Sequence, residues 1–202
     1  MSRFVTRALP AIMDCGIWPH LAATAHIPTR ALVTDIGNDI LYGFPPEQTL
    51  AWIEEAIVRL QQYTGDIVLT GLPMASIRRV SPVKFKIFCS ILAPSCRLAL
   101  RDVVDRAEVV HAGLATLAER CHARFLPVDP SWYGVDPVHI QRRYWRDAWQ
   151  RILGTDVRLR AAPVESLRLY AMRAECESWF GRQRHTPQTG RAFATGARVW
   201  LY

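Results

Sequence analysis

Apolar and polar positions form blocks of different period along the first three quarters of the chain. Short apolar runs at residues 31–34, 66–70 and 124–128 are bounded by polar or chain-breaking residues, which is typical of buried strands. Apolar residues recur at helical spacing over residues 46–61, 101–121 and 140–153, which predicts three amphipathic helices. The predicted inward-facing residues are Leu50, Ile53, Ile57 and Leu60 in the first helix, Val103, Ala107, Val110, Leu114 and Leu117 in the second, and Tyr144, Trp145, Trp149 and Ile152 in the third.

Strands that alternate with amphipathic helices predict an α/β fold with a mostly parallel sheet covered on both faces. In such sheets, ligands bind outside the carboxyl ends of the strands. The polar segments 35–39, 71–73 and 129–139 follow the three predicted strands, so we expect the functional residues there. We predict that residues 1–154 form this α/β domain. Residues 155–202 have weak periodicity and eight arginines against four acidic residues, which predicts a basic C-terminal appendage.

The composition adds limits to this interpretation. Half of the 202 residues are hydrophobic and 21% are charged, which predicts a folded globule. The longest mostly apolar window, residues 83–100, contains two lysines, an arginine and Pro94, so stable insertion into a membrane is not expected. The net charge of +7 is typical of proteins with anionic partners, but the 23 arginines are spread along the whole chain. We therefore predict no nucleic-acid partner, and a basic nucleic-acid adaptor remains a minor hypothesis, testable by salt-dependent oligonucleotide binding.

The cysteines and histidines show no metal-binding pattern. The five cysteines are odd in number and contain no C-x-x-C pair, so neither a disulfide framework nor a zinc knuckle is predicted. No two histidines have the i, i+4 spacing of a helical metal site. The apolar stretch at residues 8–13 is too short for a signal peptide. These features favour reduced thiols and a cytoplasmic protein.

Two motifs at the predicted sheet edge suggest the chemistry: Gly37-Asn38-Asp39 and Asp136-Pro137-Val138-His139. A histidine with an ordinary pKa near 6.5 can accept a proton from a hydroxyl at neutral pH, so His139 is the candidate general base. Asp136, three residues earlier, is expected to hold the tautomer of that ring. The Asn38 amide and the backbone N–H of Gly16 are candidate donors to an oxyanion. Gly37 and Asp39 are expected to order their loop.

The order and spacing of these motifs resemble the SGNH, or GDSL, hydrolase family over roughly residues 10–153. In that family a nucleophilic serine, a glycine, a G-x-N-D block and a D-x-x-H block follow one another along the chain. Gly16 resembles the second block, Asn38 and Asp39 the third, and Asp136 and His139 the last. The resemblance implies a three-layer, flavodoxin-like fold and hydrolysis of a small-molecule, lipid or carbohydrate ester by a Ser-His-Asp mechanism. It implies no metal and no organic cofactor.

The sequence departs from the family pattern at two places. Ile36 stands where the G-x-N-D block begins with glycine, and none of the eight serines follows a Gly-Asp or similar turn after an apolar strand. We therefore expect that the first strand and its nucleophile are missing because the translation start is assigned too late. Such a chain would be catalytically silent. The alternative is a non-catalytic relative that binds an acylated or sugar ligand.

Two further segments have open interpretations. Trp132 and Tyr133, just before Asp136, are candidates for lining a substrate pocket, and packing in the core is the alternative. The apolar segment 85–94 is a candidate lid or acyl-chain contact, and a buried helix or loop is the alternative.

Overall fold

The structure is a computed structural model, and it describes residues 2–4, 7–24, 27–94, 96–154, 169, 171–193 and 196–202. Its strands are β1 (Ser2–Phe4), β2 (Arg7–Leu9), β3 (Ala31–Val33), β4 (Ile67–Thr70), β5 (Arg124–Leu126), β6 (Cys176–Trp179), β7 (Arg182–His185), β8 (Arg191–Ala192) and β9 (Arg198–Val199). Its α-helices are α1 (Ile17–Ala23), α2 (Asn38–Leu41), α3 (Pro46–Gln61), α4 (Met74–Ile77), α5 (Pro82–Leu92), α6 (Leu100–Arg120) and α7 (Trp145–Leu153).

The chain divides into two compact units, and the division differs from the predicted one. One unit comprises Ala25–Leu159, and the other combines Met1–Thr24 with Arg160–Tyr202. The first 24 residues therefore belong with the C-terminal segment and not with the α/β domain. The reason is strand pairing: Arg7 in β2 lies opposite Trp179 in β6, within an antiparallel sheet ordered β1-β2-β6-β7. A periodicity pattern shows that a segment is a strand but does not show which distant strand it joins.

In the unit of residues 25–159, the predicted parallel sheet is present and is ordered β3-β4-β5. Val33 lies beside Leu69, and Leu69 lies beside Phe125, so the three strands end at the same edge. All four residues of β4 are buried, as expected for the central strand. Within the described residues, β3 and β5 are the edges of this sheet.

Helices cover both faces of the parallel sheet. Phe125 of β5 contacts His111 of α6, and α6 packs along α3 on that face. The next residue, Leu126, contacts a cluster formed by Trp132, Ala148 and Ile152, which brings α7 to the opposite face. Neighbouring residues of a strand point to opposite faces, so the sheet lies between the two helical layers. The mixed α/β class is thereby confirmed.

The helical predictions hold for α3 and α6. The third predicted helix begins at Trp145 and not at residue 140, and one of its predicted inward residues is also wrong. Every predicted inward residue of α6 is buried, and α3 begins at Pro46 as its sequence indicates. In α7, Ile152 is buried, but Trp145 is exposed. The Trp145 indole Nε1–H donates to the backbone oxygen of Ile140 at 2.8 Å, which holds the ring at the start of the helix and outside the core. Within the part of the chain that the structure describes, no helix combines the length and apolar composition needed to span a bilayer.

Candidate active site

The loop after β5 is held in shape by its own polar groups. Asp129 Oδ1 accepts hydrogen bonds from the backbone N–H of Ser131 at 2.9 Å and from its hydroxyl at 2.7 Å. The backbone N–H of Gln141 donates to the Trp132 oxygen at 2.8 Å, which closes the loop across its base. These contacts fix the segment that contains the D-x-x-H motif.

Asp136 and His139 form the contact that their spacing predicts. Nδ1 of His139 lies 2.8 Å from Oδ2 of Asp136. Oδ1 of Asp136 also accepts the backbone N–H groups of Val138 at 3.0 Å and His139 at 3.1 Å. An ionised carboxylate only accepts hydrogen bonds, so Nδ1 is the donor and the neutral ring has its lone pair on Nε2. Nε2 makes no hydrogen bond to any described residue and is available to accept a proton.

The electrostatics of Asp136 keep its carboxylate charged. Partial burial raises the pKa of Asp136, but the hydrogen bonds from Val138 and His139 outweigh burial and leave the pKa below its ordinary value. The carboxylate is therefore ionised at neutral pH, and it holds the tautomer of His139 described above.

This pair of side chains is open to solvent and has apolar neighbours. The side chains are 68% exposed for His139 and 42% for Asp136. Val135 and Val138, in the same loop, are also exposed, at 78% and 40%. A ligand with an apolar group can therefore contact this loop without displacing any core side chain.

The other motif lies after β3, at the same edge of the sheet. Gly37 precedes α2, and Asn38 is its exposed first residue. The Asn38 amide makes no hydrogen bond to a described residue. Burial raises the pKa of Asp39, and its carboxylate also has no hydrogen-bond partner among the described residues. Only the backbone oxygen of Asp39 joins the loop, by accepting the Phe44 N–H at 3.2 Å.

The charge of Asp35 acts on a residue of the loop after β5, an effect that motif spacing does not reveal. It lies two residues after the end of β3 and has a φ of 58°, a left-handed conformation uncommon outside glycine. Burial and the charge of Asp35 together raise the pKa of Tyr133 to about 12. The charge of Asp35, in the loop after β3, therefore acts on Tyr133, in the loop after β5. The available sequence signal was that both residues lie in the polar segments that follow predicted strands.

His111 is a second edge residue that the motifs did not indicate. Its Nδ1 accepts the backbone N–H of Leu72 at 3.1 Å, just after β4. The ring also lies close against Gly71. Burial lowers the pKa of His111, and the nearby Arg78 charge lowers it further.

The remaining predicted site residues have other surroundings. Gly16 belongs to the unit formed by the two chain ends, where the Glu175 carboxylate packs against it. Trp132 is buried in the core with Ala148 and Ile152, whereas Tyr133 is only partly buried. The segment 85–94 lies mostly within α5, which is neither buried nor a loop.

No described serine lies within hydrogen-bond distance of His139. The nearest in sequence, Ser131, donates its hydroxyl to Asp129 instead. The described side chains also contain no group of three or more His, Cys, Asp or Glu arranged to hold a metal ion.

The sequence matches no protein-family model, and no curated protein matches it significantly. The assignment of function therefore depends on the geometry of the loops at the sheet edge.

Proposed function

We propose that this protein is an ester hydrolase of the SGNH type, with His139 as general base and Asp136 as the residue that orients it. The observation that supports this most strongly is the 2.8 Å contact between Nδ1 of His139 and Oδ2 of Asp136, which leaves Nε2 open. The position of the pair supports it as well, since it lies beyond the carboxyl end of the last parallel strand.

In this proposal the nucleophilic serine is not among the described residues at His139. Nε2 of His139 removes the proton from its hydroxyl as the serine oxygen bonds to the ester carbonyl carbon. The protonated ring then gives that proton to the departing alkoxide as the carbon–oxygen bond breaks. A water molecule then attacks the acyl-serine in the same way, with His139 again taking and returning the proton, and the carboxylic acid is released. The Asn38 amide is the proposed side-chain donor to the oxyanion. The exposed Val135 and Val138 are proposed to contact the acyl group.

Replacing His139 tests the proposal directly. In any form of the protein that hydrolyses p-nitrophenyl acetate, we expect His139→Ala to lower the rate by about 10²- to 10⁴-fold, the usual contribution of a general base. Asp136→Asn is expected to lower the rate by a similar or smaller factor. Because His139 is exposed, its loss should change the free energy of unfolding by only about 0.5 kcal/mol.

His185→Ala is the matched control, because His185 is an exposed histidine of the other unit. It should leave the hydrolysis rate unchanged. Equal rates for His139→Ala, His185→Ala and the wild type would contradict the proposal. Fluorophosphonate labelling with peptide mapping would then identify which serine, if any, reacts.

A second candidate function is non-catalytic binding of an acylated or sugar ligand on an SGNH-like fold. The engagement of the Ser131 hydroxyl by Asp129 favours it, as does the absence of a described serine at His139. A wild-type protein with no hydrolysis and no fluorophosphonate adduct would support this candidate over the hydrolase.

A further inference from the structure

Helix α5 presents a continuous apolar stripe to solvent. Val83, Ile87 and Ile91 are 69%, 54% and 54% exposed. They are four residues apart, so they lie on one face of the helix. Phe85, Phe88 and Cys89 lie on the other face and are partly buried. Helix α5 therefore has one apolar face that is partly buried and a second one that is exposed.

Exposed apolar residues on the other long helices are isolated. Val58 on α3 is 49% exposed and Val109 on α6 is 51% exposed, and neither helix has a second exposed large apolar side chain among its described residues. Single exposed apolar residues are common on soluble proteins, whereas a contiguous patch marks an interaction surface. The stripe on α5 is such a contiguous patch.

The charged residues of α5 itself have one sign. Lys84 and Lys86 flank it on opposite sides, both are exposed, and neither forms an ion pair with a described residue. They are the only two lysines in the chain. Between Asp66 and Asp102 the sequence contains no acidic residue. It contains six basic ones, Arg78, Arg79, Lys84, Lys86, Arg97 and Arg101, of which Arg78 pairs with Glu108 and Arg101 with Asp105.

The start of α5 is set by local sequence. Ser81 Oγ accepts the Lys84 N–H at 3.3 Å, and Pro82 is the first helical residue. The helix is therefore already formed before a ligand binds the stripe. Binding carries no entropic cost of folding the helix.

We propose that α5 docks this protein on the surface of an anionic lipid bilayer. Val83, Ile87 and Ile91 enter the interface between head groups and acyl chains, and Lys84 and Lys86 reach the head-group phosphates. An apolar face flanked by lysines is the pattern of helices that lie in the plane of a membrane interface. Flexible lysine stems bury their methylenes while their ammonium groups stay at the phosphates.

Charge favours a lipid surface over a second copy of the chain. A symmetric contact between two copies would bring Lys84 and Lys86 toward the same residues of the partner, with no acidic residue on this segment to compensate. An anionic surface attracts the same two lysines instead. The proposal does not depend on ester hydrolysis, so a chain without activity would still bind.

The test is cosedimentation with vesicles of phosphatidylglycerol and phosphatidylcholine, compared with phosphatidylcholine alone. We expect the wild type to bind the anionic vesicles and to dissociate as salt is raised. Lys84→Gln with Lys86→Gln should weaken binding by about fivefold for each lysine. Ile87→Ser with Ile91→Ser should weaken it by roughly tenfold or more, because both apolar contacts with the interface are lost.

The matched control is Val58→Ser with Val109→Ser, which removes two equally exposed apolar side chains from other helices. Serine and the β-branched residues have similar helix propensities, so both double variants should fold. The control should bind as the wild type does. Equal binding by the two double variants, equal binding to neutral vesicles, or no binding would each overturn the proposal. A dimer in sedimentation analysis that only Ile87→Ser with Ile91→Ser dissociates, without vesicle binding, would assign the stripe to a second copy and would also overturn it.

The two lysines provide an independent measurement. Because the chain has no others, amine acylation followed by peptide mapping reports on α5 directly. We expect anionic vesicles to slow acylation of Lys84 and Lys86. Unchanged acylation in their presence would contradict docking through this helix.

Discussion

At the scale of single residues, the candidate site combines a local contact with longer-range ones. Asp136 and His139 are three positions apart, and the carboxylate of Asp136 also accepts two backbone N–H groups of the same turn. That geometry follows from the motif itself. His111 depends on the fold instead, because it accepts a hydrogen bond from Leu72, 39 positions away.

We predict that His111 titrates below the ordinary histidine pKa of about 6.5. Burial and the Arg78 charge lower its pKa, and a protonated Nδ1 can no longer accept the Leu72 N–H. The unfolded chain binds this proton more readily, so its stabilising contribution is complete above about pH 6.5. That contribution is lost as the pH falls toward the lower pKa of the folded state. NMR titration of the ring Cε1–H measures the pKa of His111.

His111→Gln identifies the resonance and serves as the control. A glutamine oxygen can accept the Leu72 N–H and does not titrate, so the stability of this variant should depend less on pH below about 6.5. A His111 pKa at or above the ordinary value would refute the prediction.

At the scale of elements, the long helices owe their positions to one apolar face each. The α6 helix buries Val103, Ala107, Val110, Leu114, Leu117 and Ala118. It also approaches α3 closely, because a Cβ on Gly113 would come 2.4 Å from Leu50 Cδ1. The α5 helix differs, because it is apolar on two faces, one partly buried and the other exposed.

We predict that Leu114→Ala lowers the free energy of unfolding by about 2–5 kcal/mol. Leu114 is fully buried on α6, so its truncation removes buried apolar surface and leaves a cavity. Urea unfolding followed by circular dichroism measures the change. Val109→Ala, on the exposed face of the same helix, should change it by only about 0.5 kcal/mol. Similar losses for the two variants would show that α6 does not pack through its predicted face.

At the scale of the whole molecule, the chain builds two cores from interleaved segments. In the unit of residues 25–159, the described buried residues run from Ala31 to Ile152. In the other unit, Ala174, Glu177 and Ser178 are buried, and the sheet needs strands from both ends of the chain. The smaller unit therefore cannot form before the C-terminal residues are available.

We predict that the fragment of residues 27–154 folds alone, because it contains the whole parallel sheet and the helices on both of its faces. Its length is ordinary for a single domain of about 100–150 residues. Far-UV circular dichroism should show its helices, and urea should unfold it in one cooperative transition. A gradual, non-cooperative loss of signal would indicate that the α/β unit needs the rest of the chain.

The sequence by itself determined the parallel α/β arrangement, the buried faces of α3 and α6, and the contact between Asp136 and His139. Each follows from the spacing of apolar residues or from a turn of a few residues. Such local patterns are compatible with few alternative structures. Only the tertiary structure decided that residues 1–24 join the C-terminal segment, that Asp35 influences Tyr133, and that α5 leaves one apolar face uncovered. Those features depend on which distant segments meet, and the spacing of residues along a chain does not encode that.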